Sequence, residues 1–119
     1  MRICMPRGDI KLVRFQVMDE DGNISEVDFD EIYFTVKKRY SETNSLIQKS
    51  LTQGGIIKID TGDYQLRIEP KDTDSLPINR AGESYDFDIE LIFEDQIKQT
   101  FAGEFVLTKE VTHAANEGS

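Results

Sequence analysis

The feature that most constrains this chain is an alternation of apolar and polar residues with a period of two. In residues 85–91 the apolar Tyr85, Phe87, Ile89 and Leu91 are separated by three carboxylates. Successive side chains of a β-strand point to opposite faces, so this segment predicts a strand with one face in a core. The carboxylates mark its solvent face, because unpaired charges are costly to bury.

Other segments follow the same rule. The expected core positions outside 85–91 are Ile32, Phe34, Val36, Tyr64, Leu66, Ile68 and Phe105. Residues 10–18, 46–51, 55–60 and 97–108 are also strand-like but less regular. In them we expect Ile57 and Ile59 to face inward and a bulge near Leu12. Gly103 suggests either a bulge or a close backbone approach.

Short breaker sequences separate these segments. Turns are expected at residues 21–23, 53–55, 61–63 and 94–95, and a single helical turn at 72–76. About seven short strands in 119 residues predict an all-β sandwich forming one domain, residues 1–119. Its core is expected to span 9–112, with a flexible tail over 113–119.

The charge balance narrows the possible partners. The formal net charge is −9, which disfavours binding to nucleic acid or to an anionic membrane, since both interactions depend on Lys and Arg.

Cys4 is the single cysteine, so an internal disulfide is excluded. No apolar run has the length of a membrane span or a signal-peptide core. We therefore expect synthesis in the cytoplasm and a protein as partner.

No set of residues predicts catalysis, a cofactor or a metal site. The acidic segment 19–23 resembles a calcium loop, but Val17 falls where the first ligand should be, so a tight turn is favoured. Asp86, Asp88 and Glu90 are explained as the polar face of a strand. His113, the only histidine, has no nucleophile placed beside it. We therefore expect that the chain is not an enzyme.

One aromatic residue is a candidate for an interaction surface. Tyr33 alternates with the apolar residues of its strand, so its side chain is expected on the outer face. Exposed tyrosines are enriched in binding surfaces.

Four segments together resemble a known family. They are residues 29–37 (FDEIYFTVK), 64–76 (YQLRIEPKDTDSL), 85–91 (YDFDIEL) and 103–112 (GEFVLTKEVT). In this order they are similar to small immunoglobulin-like (Ig-like) proteins of phages and prophages, above all to the N-terminal domain of phage baseplate upper proteins. The resemblance covers residues 9–112.

The resemblance implies an Ig-like antiparallel sandwich. Tyr85 would be a tyrosine corner bonded to backbone in the 72–76 turn, and Phe87 would stand where antibody domains have a cysteine. Ile32 or Phe34 would lie opposite on a facing strand.

The resemblance also implies a function. This is a non-enzymatic structural or assembly module of a phage or prophage particle, in the tail, baseplate or head–tail region. It would act through other virion components or self-association, and be made in the bacterial cytoplasm before assembly into the virion. The alternative is a carbohydrate- or cell-surface-binding sandwich, which the absence of Trp makes less favoured.

Overall fold

A computed structural model of the chain describes residues 1–39, 43–78 and 82–109. The predicted tail over 113–119, with His113, lies outside these ranges. Within them no helix has the length and apolar character needed to span a membrane.

The described residues form eight strands and one short helix in two sheets. The elements are β1 (Arg2–Pro6), β2 (Lys11–Gln16), β3 (Glu31–Lys37), β4 (Ile47–Ser50), β5 (Ile56–Asp60), β6 (Asp63–Ile68), α1 (Pro70–Thr73), β7 (Glu83–Phe93) and β8 (Gln96–Thr108). The larger sheet has the order β1-β8-β7-β3-β4, and the smaller has the order β2-β6-β5. Buried side chains of both sheets form one apolar cluster, so the prediction of an all-β sandwich is confirmed.

The larger sheet places its most regular strands at the centre. β7 pairs in antiparallel fashion with β3 on one side and with β8 on the other. Inward residues meet directly across these pairs, as Phe34 does with Ile89 and Tyr85 with Phe105. All eleven core positions expected from the alternation are at most 1% exposed.

The first strand was not expected. β1 lies before the predicted start of the core at Asp9 and runs parallel to β8, so the sandwich has eight strands and is not wholly antiparallel. Ile3 and Met5 are buried in the core cluster. Gly103 of β8 makes room for this arrangement, because a Cβ there would overlap the carbonyl oxygen of Met1 and lie 2.8 Å from the ring of Phe87. Of the two explanations for Gly103, the close approach is therefore the one observed.

The prediction for β5 was wrong. Ile57 and Ile59 are exposed, and Ile56 is the buried residue of this strand. β5 lies at the edge of the smaller sheet, and its register with β6 shifts between Lys58 and Asp60. Before that shift, the pairing places Ile56 opposite the buried Leu66 and Ile57 opposite Gln65, so the register with β6 decides the buried face and alternation alone did not identify it.

The bulge expected near Leu12 is also absent. β2 pairs with β6 in unbroken register from Lys11 to Gln16. Leu12 and Ile10 are simply exposed, whereas Phe15 is buried.

The expectation that Ile32 or Phe34 lies on a strand facing Phe87 is wrong. Ile32 and Phe34 do not face Phe87 from an opposing sheet, because β3 is hydrogen-bonded to β7 within the same sheet. Phe34 packs beside Phe87, with ring centroids 5.4 Å apart.

The Tyr85 hydroxyl ties β7 to the connection that precedes it. It donates a 2.8 Å hydrogen bond to the carbonyl oxygen of Pro77. The expected acceptor lay in the 72–76 turn, one residue earlier. The helical turn also begins earlier than expected, at Pro70.

Tyr64 is also buried, but it differs from Tyr85 in the hydrogen bonding of its hydroxyl group. The Tyr64 hydroxyl lies near the backbone N–H of Phe29 but makes no hydrogen bond of normal geometry within the described residues. Burial raises the pKa of both phenols.

We expect Tyr85→Phe to lower the free energy of unfolding by about 1 kcal/mol, because the buried Tyr85 side chain loses its hydrogen bond to the Pro77 carbonyl. Tyr64→Phe should change it by less than about 0.5 kcal/mol, since no good hydrogen bond is removed. Urea unfolding followed by circular dichroism measures both. Equal losses in the two variants would contradict the assigned role of Tyr85.

Candidate functional site

The connection from β2 to β3, residues 17–30, folds against one end of the sandwich, and we call it the acidic arm. Met18 and Ile24 form an isolated antiparallel bridge. Beside it, the Ser25 N–H donates to the Val17 carbonyl at 2.7 Å. The arm is thus a small hairpin with its own backbone pairing.

The tip of the acidic arm is a tight turn. Asp19 Oδ1 accepts the backbone N–H groups of Asp21 at 2.9 Å and Asn23 at 3.0 Å. Gly22 has φ +84°, which a glycine adopts without strain. The turn predicted for this segment is therefore present, and one carboxylate oxygen of the alternative calcium loop serves the turn itself.

The acidic arm is seated on the smaller sheet through Gly62. The Gly62 carbonyl accepts the N–H of Val17 at 2.8 Å. A Cβ on Gly62 would lie 2.6 Å from the Ser25 carbonyl oxygen and from Ile24 Cγ2. Lys58 of β5 adds an ion pair to Asp28 at 3.0 Å. The position of the arm therefore depends on a residue without a side chain.

The β7–β8 hairpin forms the opposite side of this end. Its two-residue turn, which was predicted, has positive φ at Glu94 (53°) and Asp95 (63°). Both central residues of a type I′ turn need this conformation, and it is usually supplied by Asn and Gly. Asp30 at the end of the acidic arm holds the turn, because its Oδ2 accepts the Glu94 N–H at 2.8 Å.

A β-bulge lies just beyond the hairpin turn. Leu91 is opposite Gln99, but Ile92 is opposite Ile97, so Lys98 is one extra residue in β8. Bulges redirect side chains and are common beside functional sites. Here Lys98 and Gln99 both line a cleft between the hairpin and the acidic arm.

This opening, which we call the hairpin cleft, has a volume of about 680 Å³. That is within the usual range for ligand pockets. Its apolar lining comes from Met18, Val27, Phe29 and Phe93, and its polar lining from Asp19, Glu20, Asp21, Ser25, Lys98 and Gln99. Two of its apolar lining residues are exposed, Met18 at 45% and Val27 at 38%.

Negative charge is concentrated at the same end. The acidic arm carries six carboxylates and no Lys or Arg, namely Asp19, Glu20, Asp21, Glu26, Asp28 and Asp30. The hairpin turn adds Glu94 and Asp95. Lys98 is the one basic residue among those that line the cleft. The site therefore combines an apolar interior with an acidic rim.

The second surface considered is the outer face of the larger sheet, where Tyr33 lies. Tyr33 stands between Glu90 of β7 and Ser50 of β4, and its side chain is half-buried. Next to this row, Asp88 lies between Thr35 and Ala102. Tyr33 thus contributes one partly exposed ring to a polar face, apart from the hairpin cleft.

Asp88 is a partly buried carboxylate of this face. Its Oδ1 is buried without a hydrogen-bond partner in the described residues. Burial raises its pKa, and the charge of Lys37 partly offsets the effect. Asp63 of β6 shows the opposite shift, since hydrogen bonds from Arg14 at 3.0 and 2.6 Å lower its pKa.

We expect Asp88→Asn to stabilise the fold at neutral pH, because the ionised carboxylate is the costly form in the folded state. The gain should vanish as pH falls through the raised pKa, where Asp88 takes up its proton. Asp63→Asn should behave oppositely. The ionised form of Asp63 stabilises the fold. The substitution should therefore lower stability at pH values above the pKa of about 4 that an aspartate has in the unfolded chain, and this effect should disappear below the lowered pKa of Asp63 in the folded protein. Thermal unfolding from pH 3 to 7 measures both, and parallel pH profiles for the two variants would contradict this assignment.

A smaller polar pocket lies beside the β4–β5 turn. It has a volume of about 230 Å³ and is lined mainly by polar residues including Lys49, Arg67 and Lys71. Lys49 is ion-paired with Asp72 at 2.7 Å, and Arg67 lies 4.0 Å from Glu69. Lys49 and Arg67 therefore already have carboxylate neighbours within the fold.

Residues 1–39, 43–78 and 82–109 bring together no group of three or more His, Cys, Asp or Glu side chains that could hold a metal ion. Cys4 is exposed on the outer side of β1. The expectation of no catalysis and no cofactor stays a prediction.

Sequence reasoning named Tyr33 and missed the hairpin cleft. Residues 17–25 of the acidic arm show no period of two, so alternation predicts no site there. One signal was present: Val27 and Phe29 lie in an otherwise acidic run directly before a strand. The bulge at Lys98 carries no comparable signal, because it becomes visible only in the pairing with β7.

Comparison with models of known protein families, with curated proteins and with solved structures gave no significant match to this chain.

Proposed function

We propose that this chain is a non-enzymatic assembly module of a phage or prophage particle and acts through protein–protein contact. The observation that carries the contact role is the hairpin cleft, an open, partly apolar site whose lining residues Met18 and Val27 are exposed. Contiguous exposed apolar surface on a folded domain is typical of a protein-interaction site.

The particle assignment is supported by the sequence resemblance. We further propose that the sandwich is Ig-like. Two features support this. The Tyr85 hydroxyl bonds to backbone eight residues upstream, as in a tyrosine corner. The three-stranded β2-β6-β5 sheet faces a sheet in which β3, β7 and β8 are neighbours, which is compatible with an Ig strand order.

Particle purification tests this function. Prophage induction of the bacterium that encodes the chain should release particles that carry it in a fixed ratio to the major tail or capsid protein. Quantitative mass spectrometry of gradient-purified particles measures that ratio. A chain recovered only in the free protein fraction, with none in intact particles, would contradict the proposal.

A further inference from the structure

We propose that the hairpin cleft binds a basic segment of a partner protein, with one bulky apolar side chain in the cleft and Lys or Arg residues against its rim. This inference rests on the proposed function, because it specifies the chemistry of the partner. It depends on the shape, charge and position of the cleft.

The interior of the cleft selects an apolar anchor. Phe29 is buried and Phe93 is half-buried, while Val27 and Met18 remain exposed at the opening. A side chain entering between them covers apolar surface that is otherwise in water. Removing such surface from water is the main source of affinity at anchor positions.

The rim selects positive charge. Glu20 and Asp21 are exposed at the tip of the acidic arm, and Glu94 and Asp95 are exposed at the hairpin turn. A single exposed ion pair contributes little. Several carboxylates around one opening add their fields and attract a cationic ligand, with a strong dependence on salt.

The same charges exclude other occupants. Nucleic acid is repelled by an acidic rim. A second copy presenting this end meets like charge. The chain's own residues 110–119 contain two glutamates and no Lys or Arg. They also follow Thr108, which lies ten residues along β8 from Lys98, about 33 Å at the rise of a β-strand.

Lys98 allows a test in which a substitution is expected to strengthen binding. Among the described residues it is the only Lys or Arg of the cleft lining, and it is the extra residue of the bulge in β8. An incoming cation is repelled by its ammonium group. Removing this charge should strengthen binding of a basic segment, whereas removing rim carboxylates should weaken it.

The test uses synthetic peptides as probes. One fluorescent peptide of about ten residues contains Lys and Gly with a central Phe, a second has Gly in place of Phe, and a third has Glu in place of Lys. Fluorescence anisotropy at low and high salt measures affinity for the full chain. Amide chemical shifts map the contact.

Two double variants remove the same charge at opposite ends. Glu20→Gln with Asp21→Asn should weaken binding of the Phe–Lys peptide about tenfold, the size of two lost exposed charge pairs. Asp9→Asn with Asp74→Asn should leave it unchanged, because both residues are exposed near the far end, beside the start of β2 and the end of α1. Lys98→Gln should tighten it severalfold. Circular dichroism and thermal unfolding verify the fold of each variant.

The proposal is supported if the Phe–Lys peptide binds best, salt weakens it, and shifts cluster in residues 18–29 and 93–99. It is overturned if no peptide binds at millimolar concentration or if the peptide with Gly in place of Phe binds equally well. It is also overturned if the two double variants have the same effect on binding, or if Lys98→Gln weakens binding. The particle experiment is independent. A chain present in particles whose cleft takes no basic peptide overturns this inference alone, and a chain absent from particles whose cleft binds the peptide overturns the particle assignment alone.

Discussion

Replacing Phe87 by alanine is expected to lower the free energy of unfolding by about 3–5 kcal/mol, the usual loss for a buried aromatic residue. Phe87 is 1% exposed at the centre of β7. Its ring packs on Phe34 and lies over the space left by Gly103, so neither neighbour can fill the cavity without movement of the sheet. Urea unfolding followed by circular dichroism measures the loss.

Phe101 provides the matched control. It lies on the neighbouring strand β8 and, like Phe87, packs against the core, but it is only partly buried at the margin of the cluster. Phe101→Ala should cost clearly less, about 1–2 kcal/mol, because part of its surface is already in water. Similar losses for the two variants would show that Phe87 is not the centre of the core.

Replacing Gly62 by alanine is expected to have the second largest effect, a loss of about 3 kcal/mol or more. Two costs combine. The φ of +76° is strained for any residue with a Cβ, and the new methyl group would stand 2.6 Å from a backbone oxygen of the acidic arm. The arm must therefore move away from the sandwich.

A substitution at Gly22 separates the cost of the positive φ from the cost of the steric overlap. Its φ of +84° is similar, but nothing lies within 4 Å of a Cβ placed there. Gly22→Ala should therefore cost only the conformational part, about 1 kcal/mol. Thermal unfolding of both variants measures the difference. Amide chemical shifts should report displacement of residues 17–30 in the Gly62 variant alone, and equal stability of the two variants would contradict the seating of the arm on Gly62.

The cleft links this result to binding. If Gly62→Ala displaces the acidic arm, Met18 and Val27 move away from Phe93, and the opening between them changes. Binding of the Phe–Lys peptide should then fall in Gly62→Ala and persist in Gly22→Ala. Displacement of the acidic arm by the Gly62 substitution would thus lower both the stability of the fold and the affinity for the peptide.

The central strands could be predicted because their faces are determined by neighbours on both sides. Residues 85–91 and 31–37 lie in the middle of the larger sheet, so each inward residue meets another across the pair. A period of two in the sequence then corresponds directly to burial. The edge strands behave differently. Ile56 of β5 is buried while Ile57 is exposed, because the pairing with β6, the one neighbour of β5, places Ile56 opposite the buried Leu66 and Ile57 opposite Gln65.

By itself, the sequence determined the all-β class, the central core residues and most of the turns, since alternation and breaker residues act over a few neighbouring positions. Only the tertiary structure decided the parallel pairing of β1 with β8, the buried face of β5 and the hairpin cleft. Each of these depends on segments far apart in the chain. The cleft needs the acidic arm to rest on Gly62 and Asp30 to hold the turn at Glu94, and both contacts are hydrogen bonds between segments far apart in the sequence.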